Sequence, residues 1–435
     1  QTLVYEFDDS FEIDEIELKT VKEIFENHSF DYKNSQSRCD KECLKELSRG
    51  VDFIQFIYTP LTMSEPFKSY YAGIKKLATI PEIEIGRKDI KVALRIPQDV
   101  IKSYSVVVSD SVFAYIFKRD VGSYIEIFYS GDESVENLNL AINRAKNAGF
   151  KYLIAPLTTN GLEIVNSDDY DDLIFYIPTI NIKTVQNPNP NLFFGGIDYE
   201  AQIQKLLTKA NHKITAFGDG SRVSDMLNNL VANNTNEPYI KNIEGSDIKL
   251  NFLKNNYKVK NSSIFLNTPL IKSALLSSQF RVFELTPHIL LSTQLNYNSA
   301  LISLTQSGDR KNMYIANSIM TPDSQLETLS AILGEKLDYD WVAYSTMIGM
   351  DFIYLNYINK SAKAIFKEEM QNNQIQYNIN IMRAGNYGFY FDESFTTSTA
   401  VINSFFILII TECKNNDIYQ DGADVIFAIT FSCIG

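Results

Sequence analysis

Histidine is nearly absent from this chain. Its three copies, His28, His212 and His288, lie far apart and none sits at metal-ligand spacing. His212 precedes a predicted strand and His288 follows Pro287 ahead of an apolar run, so both read as loop or cap residues rather than general bases. A G-x-S-x-G elbow, a P-loop and a G-x-G-x-x-G turn are also missing, which removes the familiar nucleophile and phosphate-binding patterns. The nearest approach is Gly218-Asp219-Gly220-Ser221 at a strand-to-helix junction. It has no phosphate-loop lysine and reads as a tight turn with Ser221 as the helix cap. No enzyme chemistry and no cofactor are therefore expected.

Positive charge is in deficit as well. Forty Lys and Arg against 53 Asp and Glu leave a net charge of -13 and a pI near 4.9. Nucleic-acid and anionic-membrane binders need a basic face, so neither partner is expected. Long apolar runs are missing too: Ala400 to Thr411 is too short to span a bilayer and is broken by Asn403 and Ser404, which suits a buried strand. The chain is not expected to be transmembrane. Cysteine is scarce, with Cys39 near Cys43 and Cys413 near Cys433. Two local disulfides in an oxidising compartment fit that spacing; buried thiols are the alternative, and a metal site matches zinc spacing poorly. The acidic groups Asp132-Glu133 and Asp168-Asp169 with Asp171-Asp172 do not follow a calcium loop and read as solvated turns, so no metal is expected. The opening Gln1, with no charged-then-apolar leader before Thr2, fits a processed, exported chain.

What is present is a globular composition, 45% hydrophobic and 21% charged, over a length that calls for two or three packed units. The richest segment is Tyr124 to Val165, YIEIFYSGDESVENLNLAINRAKNAGFKYLIAPLTTNGLEIV. It reads as a β-branched and aromatic strand, a helix capped by Ser134 with Val135, Leu138, Ile142 and Ala145 on one face, and a strand stopped by Pro156. The loop that follows is hydroxyl-rich and can offer backbone N–H groups to a carboxylate. Similar βα pairs recur from Asp89, with strands predicted at 90–96, 123–129, 152–155, 173–177, 213–217, 239–243, 262–266, 281–285 and 313–316. Helices are predicted at 198–210, 221–231, 247–253, 269–276, 325–333 and 340–358, the penultimate one opening on a Ser324/Glu327 capping box.

So many strands do not fit one parallel sheet. The pattern predicts an α/β protein of two Rossmann-like lobes with mostly parallel sheets, joined by hinge crossovers. The first crossing is placed at Asn187 to Gly196, NPNPNLFFGG, and a return between about Thr321 and Asp340. Lobe 1 is then 89–190 with 340–435, lobe 2 is 191–339, and residues 1–88 form an N-terminal α+β appendage with no catalytic pattern.

This order of elements resembles the type I periplasmic solute-binding fold. The likeness is carried by the Gly131 to Val165 stretch, by Tyr176-Ile177-Pro178-Thr179-Ile180-Asn181, by Leu192 to Gln204 as entry to a second lobe, and by the Gly-rich Ala384 to Asp392 turn. It implies an exported or periplasmic, non-catalytic binding protein that holds a small polar, amino-acid-like solute between its lobes. Ligand residues would be Thr158, Thr159, Asn160, Thr179 and Asn181 from lobe 1, with Asp219 and Asn267 from lobe 2. Hydroxyl and N–H groups would hold an anionic end, an acidic group a cationic end, and hinge closure would exclude water. Two positions depart from the family: Arg95 to Val100 has no glycine, and Ala155-Pro156 stands where Gly-Pro is usual. The same fold also serves in envelope proteins such as activator lipoproteins of peptidoglycan synthases. The alternative is therefore a degenerate cleft in a module that contacts an envelope protein complex.

Overall fold

The computed structural model describes residues 89–392, apart from 168, 169, 171, 244–249 and 255. The 1–88 appendage, all four cysteines and the expected strand at 400–411 lie outside the described residues. So do three positions of the helix expected at 247–253; its last three residues form a single 3-10 turn, Asn251–Leu253.

Two seven-stranded, mostly parallel sheets carry the fold. The first contains β1 (Ile90–Ile96), β2 (Ser123–Tyr129), β3 (Tyr152–Ile154), β4 (Ile174–Ile177) and β5 (Leu192–Phe194), extended by the later hairpin β11 (Glu369–Gln371) and β12 (Gln374–Gln376). The second contains β6 (Ile214–Gly218), β7 (Tyr239–Asn242), β8 (Ser263–Leu266), β9 (Ile289–Ser292) and β10 (Met313–Asn317), extended by β13 (Asn380–Ala384) and β14 (Phe389–Phe391). The orders are β2-β1-β3-β4-β5 and β7-β6-β8-β9-β10, so the lobes repeat one doubly wound topology. Each has its switch point between its first and third strands, β1/β3 and β6/β8, where ligands of open α/β sheets bind.

Ten α-helices cover the described sheets: α1 (Gln98–Ile101), α2 (Tyr104–Arg119), α3 (Val135–Asn147), α4 (Thr159–Ser167), α5 (Tyr199–Leu207), α6 (Arg222–Asn233), α7 (Leu270–Val282), α8 (Ala300–Leu304), α9 (Ser324–Ile332) and α10 (Trp341–Ile353). The central strand β1, IKVALRI, is covered on both sides and buried at every position but Lys91, as a parallel strand between helix layers must be. Its Val92, Leu94 and Ile96 meet α2, α9 and α10, while Ala93 joins the core under α3 and α4. Helix α10 is buried on nearly every face, as its sequence predicts, and ends in a π turn at Tyr354–Ile358. The Arg119–Asp351 ion pair ties it to α2, with Tyr115 donating to the same carboxylate at 2.8 Å. In the second lobe, α7 packs with Phe217, Leu266 and Ile315 in one core, while Leu227 and Val231 of α6 are buried on the helix's inner face.

Several expectations are corrected. No strand occupies 281–285: helix α7 continues to Val282, Glu284 takes a left-handed conformation (φ 54°), and the strand is β9, which begins at Ile289, directly after His288. The cap of α9 is Asp323, whose carboxylate accepts from the N–H groups of Gln325 and Leu326, rather than Ser324. Sheet membership also moves the lobe limits. β5, expected in lobe 2, belongs to the first sheet; β13 and β14, expected in lobe 1, belong to the second; and α9, expected in lobe 2, packs into the first-lobe core. The chain thus passes between sheets three times, after β5, after β10 and between β12 and β13.

Candidate functional site

All seven candidate residues lie beyond the carboxyl ends of parallel strands. Thr158, Thr159 and Asn160 follow β3, Thr179 and Asn181 follow β4, Asp219 follows β6 and Asn267 follows β8. What their polar groups do differs from the expectation. The Thr158 N–H donates to Glu133 Oε1 at 2.8 Å, the Thr158 hydroxyl donates to Glu133 Oε2, and the Gly161 N–H donates to the same oxygen at 3.2 Å. The loop therefore does present N–H groups to a carboxylate, and the carboxylate is the protein's own. Thr159 and Asn160 open helix α4 and are exposed.

The β4 loop is engaged in the same way. Thr179 Oγ1 donates to the Leu157 carbonyl at 2.6 Å, joining the two strand-end loops. Asn181 is a crossover residue: its amide donates to the Gly196 carbonyl at 2.9 Å while its oxygen accepts from the Lys183 N–H at 3.1 Å. Around it, Gln374 donates to the Gly196 carbonyl at 3.0 Å, Tyr377 to the Gly195 carbonyl at 2.6 Å, and Ser345 to Gly195 and Pro178 carbonyls at 2.9 Å each. These bonds knit the first and third crossings onto α10.

In the second lobe, Asp219 Oδ1 accepts from the Ser221 N–H at 3.1 Å and hydroxyl at 2.6 Å, and Oδ2 lies 3.7 Å from Lys272 Nζ. Burial alone would raise the Asp219 carboxyl, but the Ser221 bonds and the Lys272 ammonium together hold it below the usual carboxylate range. Asn267 is fully buried; its amide donates to Asn228 Oδ1 at 2.9 Å and its Oδ1 has no protein partner. The first-lobe candidates bond within their own lobe and crossovers, and the second-lobe pair within theirs.

Sequence reasoning missed several residues here. Glu133 was read as part of a solvated turn, and Arg95 as the place of a missing glycine. Arg95 is fully buried, with its guanidinium pulled down to about 10 by burial despite the opposing charge of Glu133. Also missed is a polar layer past β8 to β10: Gln202 bridges Ser318 (2.7 Å) and the Gln294 N–H (2.9 Å), and Asn296 faces the Leu266 and Thr268 carbonyls. Within it Thr293 Oγ1, Gln294 Nε2 and Asn296 Oδ1 are buried without protein partners. Alternate polar residues after an apolar strand were the available signal. Among the described residues, no group of three or more His, Cys, Asp or Glu could hold a metal ion. A shallow hollow of about 660 Å³ lies instead along α6, lined by Gly220, Arg222, Asp225, Met226, Asn229 and Leu230.

Two doubly wound lobes of equivalent order, with three chain crossings between them, define the fold of the type I periplasmic binding proteins. Among solved structures, the chain is similar to a leucine-, isoleucine-, valine-, threonine- and alanine-binding protein from Brucella ovis in its closed conformation (TM-score 0.52, 11% identity, 70% of this chain and 95% of that one). It is also similar to an ABC-transporter solute-binding protein from Rhodopseudomonas palustris in complex with p-hydroxybenzoic acid (TM-score 0.51, 11% identity, 69% and 95%). A third is an extracellular ligand binding receptor from Desulfohalobium retbaense (TM-score 0.50, 10% identity, 74% and 63%), of which this chain spans less than two thirds. These neighbours are binding proteins rather than enzymes, and at such identities the likeness defines the fold alone. No protein-family model matches the chain, and no curated protein sequence matches it. Among the described residues, no helix is long and apolar enough to cross a membrane.

Proposed function

We propose that this protein is a non-catalytic, exported module of the type I binding fold that acts by docking on a protein of the cell envelope, its interlobe cleft being closed to amino-acid-like solutes. The observation that carries this reading is Glu133. A bound α-amino acid needs N–H and hydroxyl donors for its carboxylate and an acidic group for its ammonium. The donors, from Thr158 and Gly161, are taken by Glu133, and the acid, Asp219, is taken by Ser221 and Lys272. Displacing either would leave a partly buried charge without its partner, which costs several kcal/mol, about what a weak solute gains on binding.

Docking is supported by the outer helices. Ile271, Leu275 and Val282 share one face of α7 and are 65%, 42% and 58% exposed. Exposed apolar stripes of this kind mark protein contacts more often than solute sites. The second reading, a small polar solute, is favoured by one feature, the buried oxygens of Asn267, Thr293 and Asn296 that lack protein partners.

Calorimetry with the proteinogenic amino acids and small carboxylates, each at millimolar concentration, separates the two. No binding heat and no shift in melting temperature are expected. A photoreactive residue in place of Leu275 should at the same time give a discrete protein adduct in the envelope fraction. Micromolar binding of any of these solutes, lost on Asp219→Asn, would overturn the docking reading.

A further inference from the structure

Acidic residues outnumber basic ones in this chain, yet from Ile248 to Phe283 there are six Lys and Arg and no Asp or Glu. The part of this stretch that leads into β8 packs beside the edge of the second sheet, with Leu253 and Val259 in the core and its lysines outside. Lys213, directly before β6, holds it down by donating to the Tyr257 carbonyl and, at 2.8 Å, to the Lys260 carbonyl. On the edge strand β7, Tyr239 and Lys241 point to one face and both meet the segment: Lys258 Nζ lies 4.8 Å from the Tyr239 ring centre and Lys241 Nζ 5.6 Å from that of Phe252. Lys213, Lys241, Lys254, Lys258 and Lys260 thus share one exposed face, with Tyr257 74% exposed among them. Lys272 and Arg281 of the same lobe are paired with Asp219 and Asp309, whereas none of these five forms an ion pair with a described carboxylate.

We propose that this face is a peripheral docking surface for an anionic lipid bilayer. Each lysine close to such a surface strengthens binding about fivefold, and this face presents five of them. The net charge of -13 does not forbid it, because at physiological salt charges farther than about 8 Å away are largely screened. A local basic face can therefore act inside an acidic chain. The side chains favour lipid over an acidic protein. Protein interfaces are poor in Lys and rich in Arg, whose rigid fork matches a fixed carboxylate. Here every cation is a Lys, a hydrated point charge on a mobile stem, which suits headgroups that are themselves mobile. Tyr257 adds an apolar ring with a polar tip, a side chain that sits well at headgroup level. The inference goes beyond the protein contact proposed for α7 and does not depend on it. The two surfaces adjoin, since Phe217 touches Phe252 of the lysine segment and Phe280 of α7, at ring distances of 6.2 and 5.9 Å.

Vesicle co-sedimentation of the full chain, with no partner protein present, tests this apart from the α7 contact. The protein should sediment with vesicles of phosphatidylglycerol and phosphatidylcholine in equal parts, stay in solution with phosphatidylcholine alone, and be released as salt is raised. Lys254→Gln with Lys260→Gln removes two charges that make no side-chain contact in the fold, and should weaken binding about twentyfold with the melting temperature unchanged. Lys151→Gln with Lys360→Gln removes the same charge from exposed positions of the first lobe and should leave binding as it was. Absence of the parent from the anionic vesicle pellet, or an equal loss in both double variants, overturns the proposal. Soluble polyglutamate, at the same total charge as the vesicles, should compete weakly. If it strips the protein from them completely, the face serves an acidic protein and the lipid assignment fails.

Discussion

Tyr176 fixes what its neighbours can be. It is fully buried at the end of β4 and donates to the Ser345 carbonyl at 2.9 Å. Its ring passes between Gly195 and Gly349, at each of which a Cβ would collide with it. Gly349 lies inside α10, where replacing glycine by alanine ordinarily gains about 1 kcal/mol of helix stability. Here the methyl group meets a ring that is held on its other side and hydrogen-bonded at its tip, and overpacking of this kind costs about 1–3 kcal/mol. Gly349→Ala should therefore destabilise the protein, by about 2 kcal/mol in urea unfolding, and Tyr176→Leu in the same chain should relieve most of the loss. A stabilised Gly349→Ala would show that the helix can slide away. The apolar character of α10 was legible in its sequence; the reason for its glycine was not, because the ring that excludes a side chain arrives from far along the chain.

At the scale of elements, the segment joining α9 to α10 carries a titration. Burial, and then the charge of Asp340, push the Glu335 carboxyl up to about 7. A carboxyl raised above its unfolded value of about 4.3 favours the fold only while protonated. Relative to a neutral group, Glu335 is therefore without effect below about pH 4 and opposes folding increasingly as pH rises through 7. Glu335→Gln should leave stability unchanged at pH 4 and raise it at pH 8 by about 1 kcal/mol, after allowance for the solvent that still reaches the group. Equal gains at both pH values would point to packing rather than charge. Elements also show why the site was half legible. Strand ends, caps and the Pro156 stop are local signals, so the candidate loops were found. Glu133 lies 25 residues before Thr158, and they meet where the segments following β2 and β3 reach each other although β1 lies between those strands in the sheet. No local pattern contains that adjacency. The misplaced strand at 281–285 has the opposite cause: β-branched and aromatic residues there suit a strand, but tertiary packing carries α7 through Val282 and lets Glu284 end it.

For the whole molecule, the question is whether the lobes move. In a solute carrier they close on the ligand about their crossings. Here a second connection exists away from the crossings. Leu337 packs into the first-lobe core, and two residues on Tyr339 packs into the second, its ring 5.3 Å from Tyr297 and 6.3 Å from Phe389, which are themselves 4.8 Å apart. Each such ring pair contributes about 0.5–1.5 kcal/mol beyond the area it buries, so losing both is worth about 2 kcal/mol. That is enough to raise the population of a separated arrangement more than tenfold. Tyr339→Ala should broaden the distance distribution between spin labels on the exposed Glu136 and Asn229 positions of α3 and α6, with the far-ultraviolet spectrum unchanged. A narrow distribution in the parent that amino acids leave untouched, and a broad one in the variant, is the behaviour of lobes clasped for docking. A parent whose distribution is already broad and narrows on adding a solute would mean that the clasp opens in solution and that the hinge still serves a cleft.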